Sequence, residues 1–175
     1  LEKLGRLRDK GIDPYPHSYQ RTHTTAEAKA FFEKQEPDFG DNPKTELVSI
    51  CGRVMSFRSM GKATFIVLKD GHSSMQVLFR RNNLEESYDI LKDLDLGDWI
   101  GASGPIFRTR TREITVEVSD WSILSKSLRT LPEKWHGLTD VETRFRQRYL
   151  DLISNDEARE LTMMRSQMVM ALRRA

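Results

Sequence analysis

Two runs of alternating apolar residues flank an Asp-Gly pair: Ala63-Thr-Phe-Ile-Val-Leu-Lys69 and Ser74-Met-Gln-Val-Leu-Phe-Arg80. No other segment limits the fold as tightly, because Asp-Gly between alternating strands is the strongest short-range signal for a β-hairpin. With Asp70-Gly71 as a two-residue turn, Ile66 is expected opposite Met75 and Phe65 opposite Gln76. Side chains alternate faces along a strand, so Ile66, Leu68, Met75, Val77 and Phe79 share one face and Phe65 and Gln76 the other. The first face is a core. The second sets an aromatic ring beside an amide that both donates and accepts hydrogen bonds, which is what reading an unpaired base requires. A half-covered sheet that only packs under a loop or helix also carries such a Phe, so the hairpin alone leaves both readings open.

The surrounding pattern supplies an architecture. Val48, Ile50 and Val54 alternate in a strand before the hairpin, where Gly52 is expected to mark a bulge or bend. After it, Leu84, Tyr88, Ile90 and Leu91 fall on one face of a helix expected over 83–94 with Asn82 or Asn83 as its cap. A fourth strand is expected over 99–108 and a fifth over 113–124, with Ile114, Val116 and Val118 inward. Three strands, a helix and two strands is the order of an OB-fold, so the expected fold class is mainly β: a five-stranded Greek-key barrel with a helix between strands three and four. Helices flank it at both ends. Leu1, Leu4 and Leu7 stripe a first helix that Gly11 stops, and Thr24 with Glu27 forms a capping box for a second. A helix follows from Val141 towards Leu152, and Ser154 with Glu157 is expected to box the start of a last one, striped by Leu161, Met164, Met168 and Leu172. The expected organisation is a helical extension over 1–45, the barrel over 46–125, a linker over 126–153 in which Trp135 packs on a neighbour, and a further element over 154–175.

In OB-folds the face built largely by strands two and three, flanked by the one-two and four-five loops, binds oligonucleotides or oligosaccharides. Phe65 and Gln76 lie there. The net charge of +2 in 175 residues says little about nucleic acid, since local potential rather than the total drives such binding. Basic residues do cluster, at Arg80 and Arg81, at Arg108, Arg110 and Arg112, and at Arg144, Arg146 and Arg148. The single cysteine, Cys51, implies no disulfide, the four histidines show no metal-ligand spacing, and no metal site is expected. No apolar run approaches the ~18 residues of a membrane span. The chain opens inside a helical pattern without an initiating Met, as a piece of a longer protein would.

Longer stretches carry a resemblance. Gly11-Ile-Asp-Pro-Tyr-Pro16, Arg21-Thr-His-Thr24, Met60-Gly-Lys-Ala63, Phe107-Arg-Thr-Arg-Thr111, Leu124-Ser-Lys-Ser-Leu-Arg129, Leu131-Pro-Glu-Lys-Trp-His-Gly-Leu138 and Arg144-Phe-Arg-Gln-Arg-Tyr-Leu-Asp-Leu152 occur in order. Together they resemble the N-terminal part of class II lysyl-tRNA synthetases. The resemblance implies an anticodon-binding barrel in a lysine-tRNA ligase, with tRNA as partner and uridine as the middle anticodon base. It implies Phe65 as the stacking ring, Gln76 and Arg58 as readers of the base edge, and Glu113 as a contact to another anticodon base. Lys62, Arg80, Arg108 and Arg110 are expected along the RNA backbone. Residues 154–175 resemble the opening of the catalytic domain, its first motif, which implies a homodimer. ATP and Mg belong to the parent enzyme; no catalytic residue and no cofactor are expected in this stretch, which is expected to be inactive alone and cytoplasmic. Two rival readings remain: an OB module that binds single strands without sequence preference, and a mainly structural dimerisation piece.

Overall fold

The computed structural model describes residues 1–36, 44–129, 131, 138 and 140–174. The expectation for Trp135 lies outside the described residues. The chain forms two compact units, Leu1–Leu128 and Arg129–Ala175.

Among the described residues the first unit holds six strands: β1 (Lys44–Met60), β2 (Ala63–Lys69), β3 (Ser74–Arg80), β4 (Trp99–Arg108), β5 (Ile114–Glu117) and β6 (Asp120–Ser125). Their order is β1-β2-β3-β5-β4-β6, and an additional β1–β4 pairing closes the ring. β1 manages this by its length of 17 residues. Its first half pairs with β4 and its second half with β2. Gly52 lies at the changeover, where a Cβ would come within 3.1 Å of the Lys69 backbone. The bulge itself falls not at Gly52 but between Val54 and Ser56.

The fifth strand expected over 113–124 is two strands. Ser119 breaks it by donating its backbone N–H to Ser103 O at 2.8 Å, and β5 and β6 then follow different stretches of the same edge of β4. Gly104 permits this, because a Cβ there would sit 1.9 Å from Glu117 O.

The hairpin also differs from the two-residue turn. Ile66 pairs with Val77, Val67 with Gln76 and Leu68 with Met75. Phe65 is therefore opposite Leu78, and Gln76 is its diagonal neighbour on the same face. The side chain of Asp70 is the cause. Its Oδ1 accepts the N–H groups of His72 and Ser73 at 2.7 and 2.9 Å, while its own N–H donates to Ser73 O at 3.1 Å. This local network holds a four-residue loop, Asp70 to Ser73, and Gly71 does not take the positive φ that a type I′ turn needs.

The helix expected over 83–94 is instead α3 (Arg81–Leu84), α4 (Glu86–Asp89) and a 3-10 turn (Ile90–Asp93). Glu85, at φ 44° and ψ −116°, interrupts it, and neither Asn82 nor Asn83 caps it, since the chain passes straight from β3 through Arg80. The apolar positions keep their inward facing: Leu84, Tyr88 and Leu91 are buried.

Among the described residues two helices precede the barrel. α1 (Glu2–Asp9) ends in a Schellman motif, with Gly11 at φ +72° and Ile12 N–H bonded to Leu7 O at 3.0 Å. α2 (Thr25–Gln35) starts with the expected Thr24–Glu27 capping box. Both contribute to the same core as the strands, through fully buried Leu7, Ala28 and Phe32. Ion pairs of Arg6 and Lys10 with Asp93 tie α1 to the 3-10 turn. At the other end Lys126, nearly buried, bonds Asp95 at 2.6 Å and fully buried Asp98 at 2.7 Å.

The described residues of the second unit form α5 (Val141–Arg146), α6 (Arg148–Ser154) and α7 (Asp156–Arg174). The helix expected from Val141 towards Leu152 is broken at Gln147, and buried Asp151 bonds both Arg144 and Arg148. Asn155, not Ser154, caps α7 by accepting the Ala158 N–H at 3.3 Å, while Ser154 donates to Leu150 O inside α6. Leu161, Met164, Met168 and Leu172 are all exposed on α7. Among the described residues no helix is long and apolar enough to cross a membrane.

Candidate nucleic-acid interface

The outer face of the barrel is read across the strands in two rows. One row is Arg58, Phe65, Leu78 and Glu117; the next is Ser56, Val67, Gln76 and Thr115. The bulge in β1 creates the first row. By skipping a residue between Val54 and Ser56 it turns Arg58, which simple alternation from Val54 would point inward, onto the face of Phe65. Arg58 is exposed, Phe65 half-buried and Gln76 6% exposed. Arg58 has no hydrogen-bond or ion-pair partner among the described residues.

Gln76 is fixed by the loop between β4 and β5. Its Nε2 donates to Glu113 Oε2 at 2.6 Å. Thr109 holds Glu113 in turn: its Oγ1 accepts the Glu113 N–H at 3.0 Å, and its N–H donates to Glu113 O at 3.0 Å. Arg112 closes this tight turn in the left-handed region, at φ 64°.

The four expected backbone-binding cations are placed unequally. Lys62 and Arg110 are exposed. Arg80 Nε donates to Glu117 Oε1 at 2.8 Å, and Lys44 Nζ reaches the other oxygen at 2.6 Å. Burial pushes the Glu117 carboxyl up, and these two cations outweigh it, so the group lies below the usual carboxylate range. Arg108 donates twice to Glu36 and once to Arg112 O, with its guanidinium 5.5 Å from the centre of the Phe32 ring. Those hydrogen bonds hold the Glu36 carboxyl below its ordinary value.

A cavity of about 290 Å³ adjoins Gln76, with Glu113 and Arg108 on one wall and Lys29 and Glu33 of α2 on another. No sequence signal pointed to α2 as part of this site. What places it is Asp70, which accepts the Thr25 N–H and hydroxyl at 2.8 Å each, docking the positive end of α2 against the hairpin loop. Cys51 is half-buried, and burial raises its thiol, away from the thiolate a nucleophile needs.

A closed ring of strands in the order β1-β2-β3-β5-β4, with Arg58, Phe65 and Gln76 on one face of β1, β2 and β3, is the architecture of an OB barrel. Residues 48–124 match the tRNA anti-codon family, described as an OB-fold nucleic acid binding domain. The chain as a whole matches the N-terminal fragment of a lysyl-tRNA synthetase. It is 50% identical to the lysine-tRNA ligase of Dehalococcoides mccartyi (strain ATCC BAA-2266 / KCTC 15142 / 195) over 174 residues, 99% of this chain and 34% of that protein. It is 50% identical to the ligase of Pelotomaculum thermopropionicum over 98% of this chain and 33% of that protein, and 42% identical to that of Enterococcus faecalis over 99% and 35%. The chain thus spans about a third of the length of the curated relatives it matches.

Proposed function

We propose that this chain recognises the anticodon of lysine tRNA on behalf of a lysine-tRNA ligase. The observation that carries the reading is the pairing of Arg58 directly with Phe65, with Gln76 diagonal to the ring on the same face. A base stacked on Phe65 is within the neighbourhood of a guanidinium that only donates and an amide that does both. Uridine, with two carbonyl acceptors flanking an N3–H donor, suits that set. Glu113 serves a neighbouring anticodon base, and the exposed Lys62 and Arg110 favour the phosphate backbone. Attachment of lysine, with the ATP and Mg it uses, belongs to a whole ligase in the cytoplasm. The exposed apolar positions of α7 fit a second copy of such a ligase.

The test is binding of an anticodon stem-loop RNA to the wild-type chain and to Phe65→Ala. The substitution is expected to cost about 1–3 kcal/mol, the scale of one base-aromatic stack. Unchanged affinity would remove Phe65 from the site. Equal affinity for all four middle bases would favour a non-specific single-strand binder instead.

A further inference from the structure

Glu113 does more than present a carboxylate at a loop tip. An ionised carboxylate only accepts hydrogen bonds, so the atom of Gln76 that lies 2.6 Å from Glu113 Oε2 must be the NH₂ group. The usual ambiguity in which way a glutamine amide points is therefore removed by chemistry. No donor among the described residues reaches Gln76 Oε1. The Gln76 side chain is nearly buried, at 6% exposure, and the backbone of exposed Glu113 is pinned on both sides by Thr109. Gln76 is thus held with one N–H of its amide on Glu113, which fixes the orientation of the amide, and with no donor among the described residues on its carbonyl oxygen.

We propose that Glu113 is a positioning residue that selects uridine over cytidine at the middle anticodon position by fixing Gln76 Oε1 towards the base. This rests on the proposed anticodon function. Uridine presents N3–H, which Oε1 accepts. Cytidine presents a bare N3, whose lone pair faces that of Oε1, and the amide cannot turn over to donate without pointing its own oxygen at the Glu113 carboxylate. In Glu113→Gln the partner is an amide that donates as readily as it accepts, so both orientations of Gln76 become available.

The experiment measures binding of the 175-residue chain to two stem-loop RNAs that differ only in U or C at the middle position. Glu113→Gln is expected to lower the U-over-C preference by about tenfold, within the range one correctly read base edge commands, mainly by tightening binding of the C-containing RNA. In a Gln76→Ala background the same substitution should leave the preference unchanged, because Glu113 acts through Gln76. An undiminished preference in Glu113→Gln overturns the proposal, as does a change in preference that persists without the Gln76 amide. Phe65→Ala separates the two levels of inference. It should weaken both RNAs alike, since stacking tolerates any base. A wild-type chain with no preference for U refutes the anticodon reading and the role of Glu113 with it; a preferring wild type whose Glu113→Gln variant prefers U equally refutes only the latter.

Discussion

Asp70→Ala tests the reasoning that links the hairpin to the helix beside it. Four donors point at this one carboxylate: the Thr25 N–H and hydroxyl, and the N–H groups of His72 and Ser73. Thr25 is fully buried, so its two donors lose their partner with no water to replace it. At about 1–3 kcal/mol for each buried donor left unsatisfied, and less for the two loop amides that water can reach, the loss is expected at about 3–5 kcal/mol. Asp70→Asn, which keeps an acceptor oxygen but not the charge, should cost about half of that. Urea unfolding followed by circular dichroism gives both values. Burial by itself raises the Asp70 carboxyl, but the bonds from Thr25, Ser73 and His72 outweigh it and leave the group below its ordinary value. A folded value below the unfolded one means stabilisation that is present above about pH 4, the ordinary Asp value, and is lost as pH falls through the folded value. The acid limb of the wild-type stability curve should therefore be shallower in Asp70→Asn. A loss below about 1 kcal/mol in Asp70→Ala, with an unchanged denaturant slope, would refute the claim that Asp70 sets the loop and docks α2.

Three further substitutions probe other parts of the barrel. Gly104→Ala forces a Cβ against Glu117 O, 1.9 Å from its ideal position, and should destabilise by at least about 1–3 kcal/mol, with the melting temperature as the readout. Glu85→Gly relieves the φ of 44° and should raise the melting temperature, with a gain of about 1 kcal/mol. Lys126→Met leaves fully buried Asp98 without its cation; about 3–5 kcal/mol should be lost at neutral pH, and urea titration would show it.

The barrel was legible because its evidence is local. Val48, Ile50, Ile66, Leu68, Met75, Val77, Phe79, Val116 and Val118 alternate as half-buried strands must, and all are buried. What escaped the sequence was set by particular side chains acting on backbone. Asp-Gly announces a tight turn, but Asp70 binds the amides two and three residues on and widens it, which moved Gln76 from opposite Phe65 to its diagonal. The facing of Arg58 depends on a bulge beside Met55, where no glycine marks it. Glu85 has no sequence feature that foretells a left-handed break, and the single helix expected there became three short turns. The contribution of Lys29 and Glu33 arises from a contact between Thr25 and Asp70, 45 positions apart in the chain, which periodicity does not report.

The carboxylates that hold Arg80 and Arg108 bear on how an RNA strand would be gripped. A phosphate that approaches either guanidinium must displace Glu117 or Glu36, so one anion replaces another and few condensed counterions are set free. Association governed by such exchanges has little of the salt-driven, sequence-blind attraction typical of basic grooves. On the proposed anticodon reading, the weight of selection shifts to Arg58, which has no partner among the described residues, and to the ring and amide beside it, because Arg80 and Arg108 are already paired.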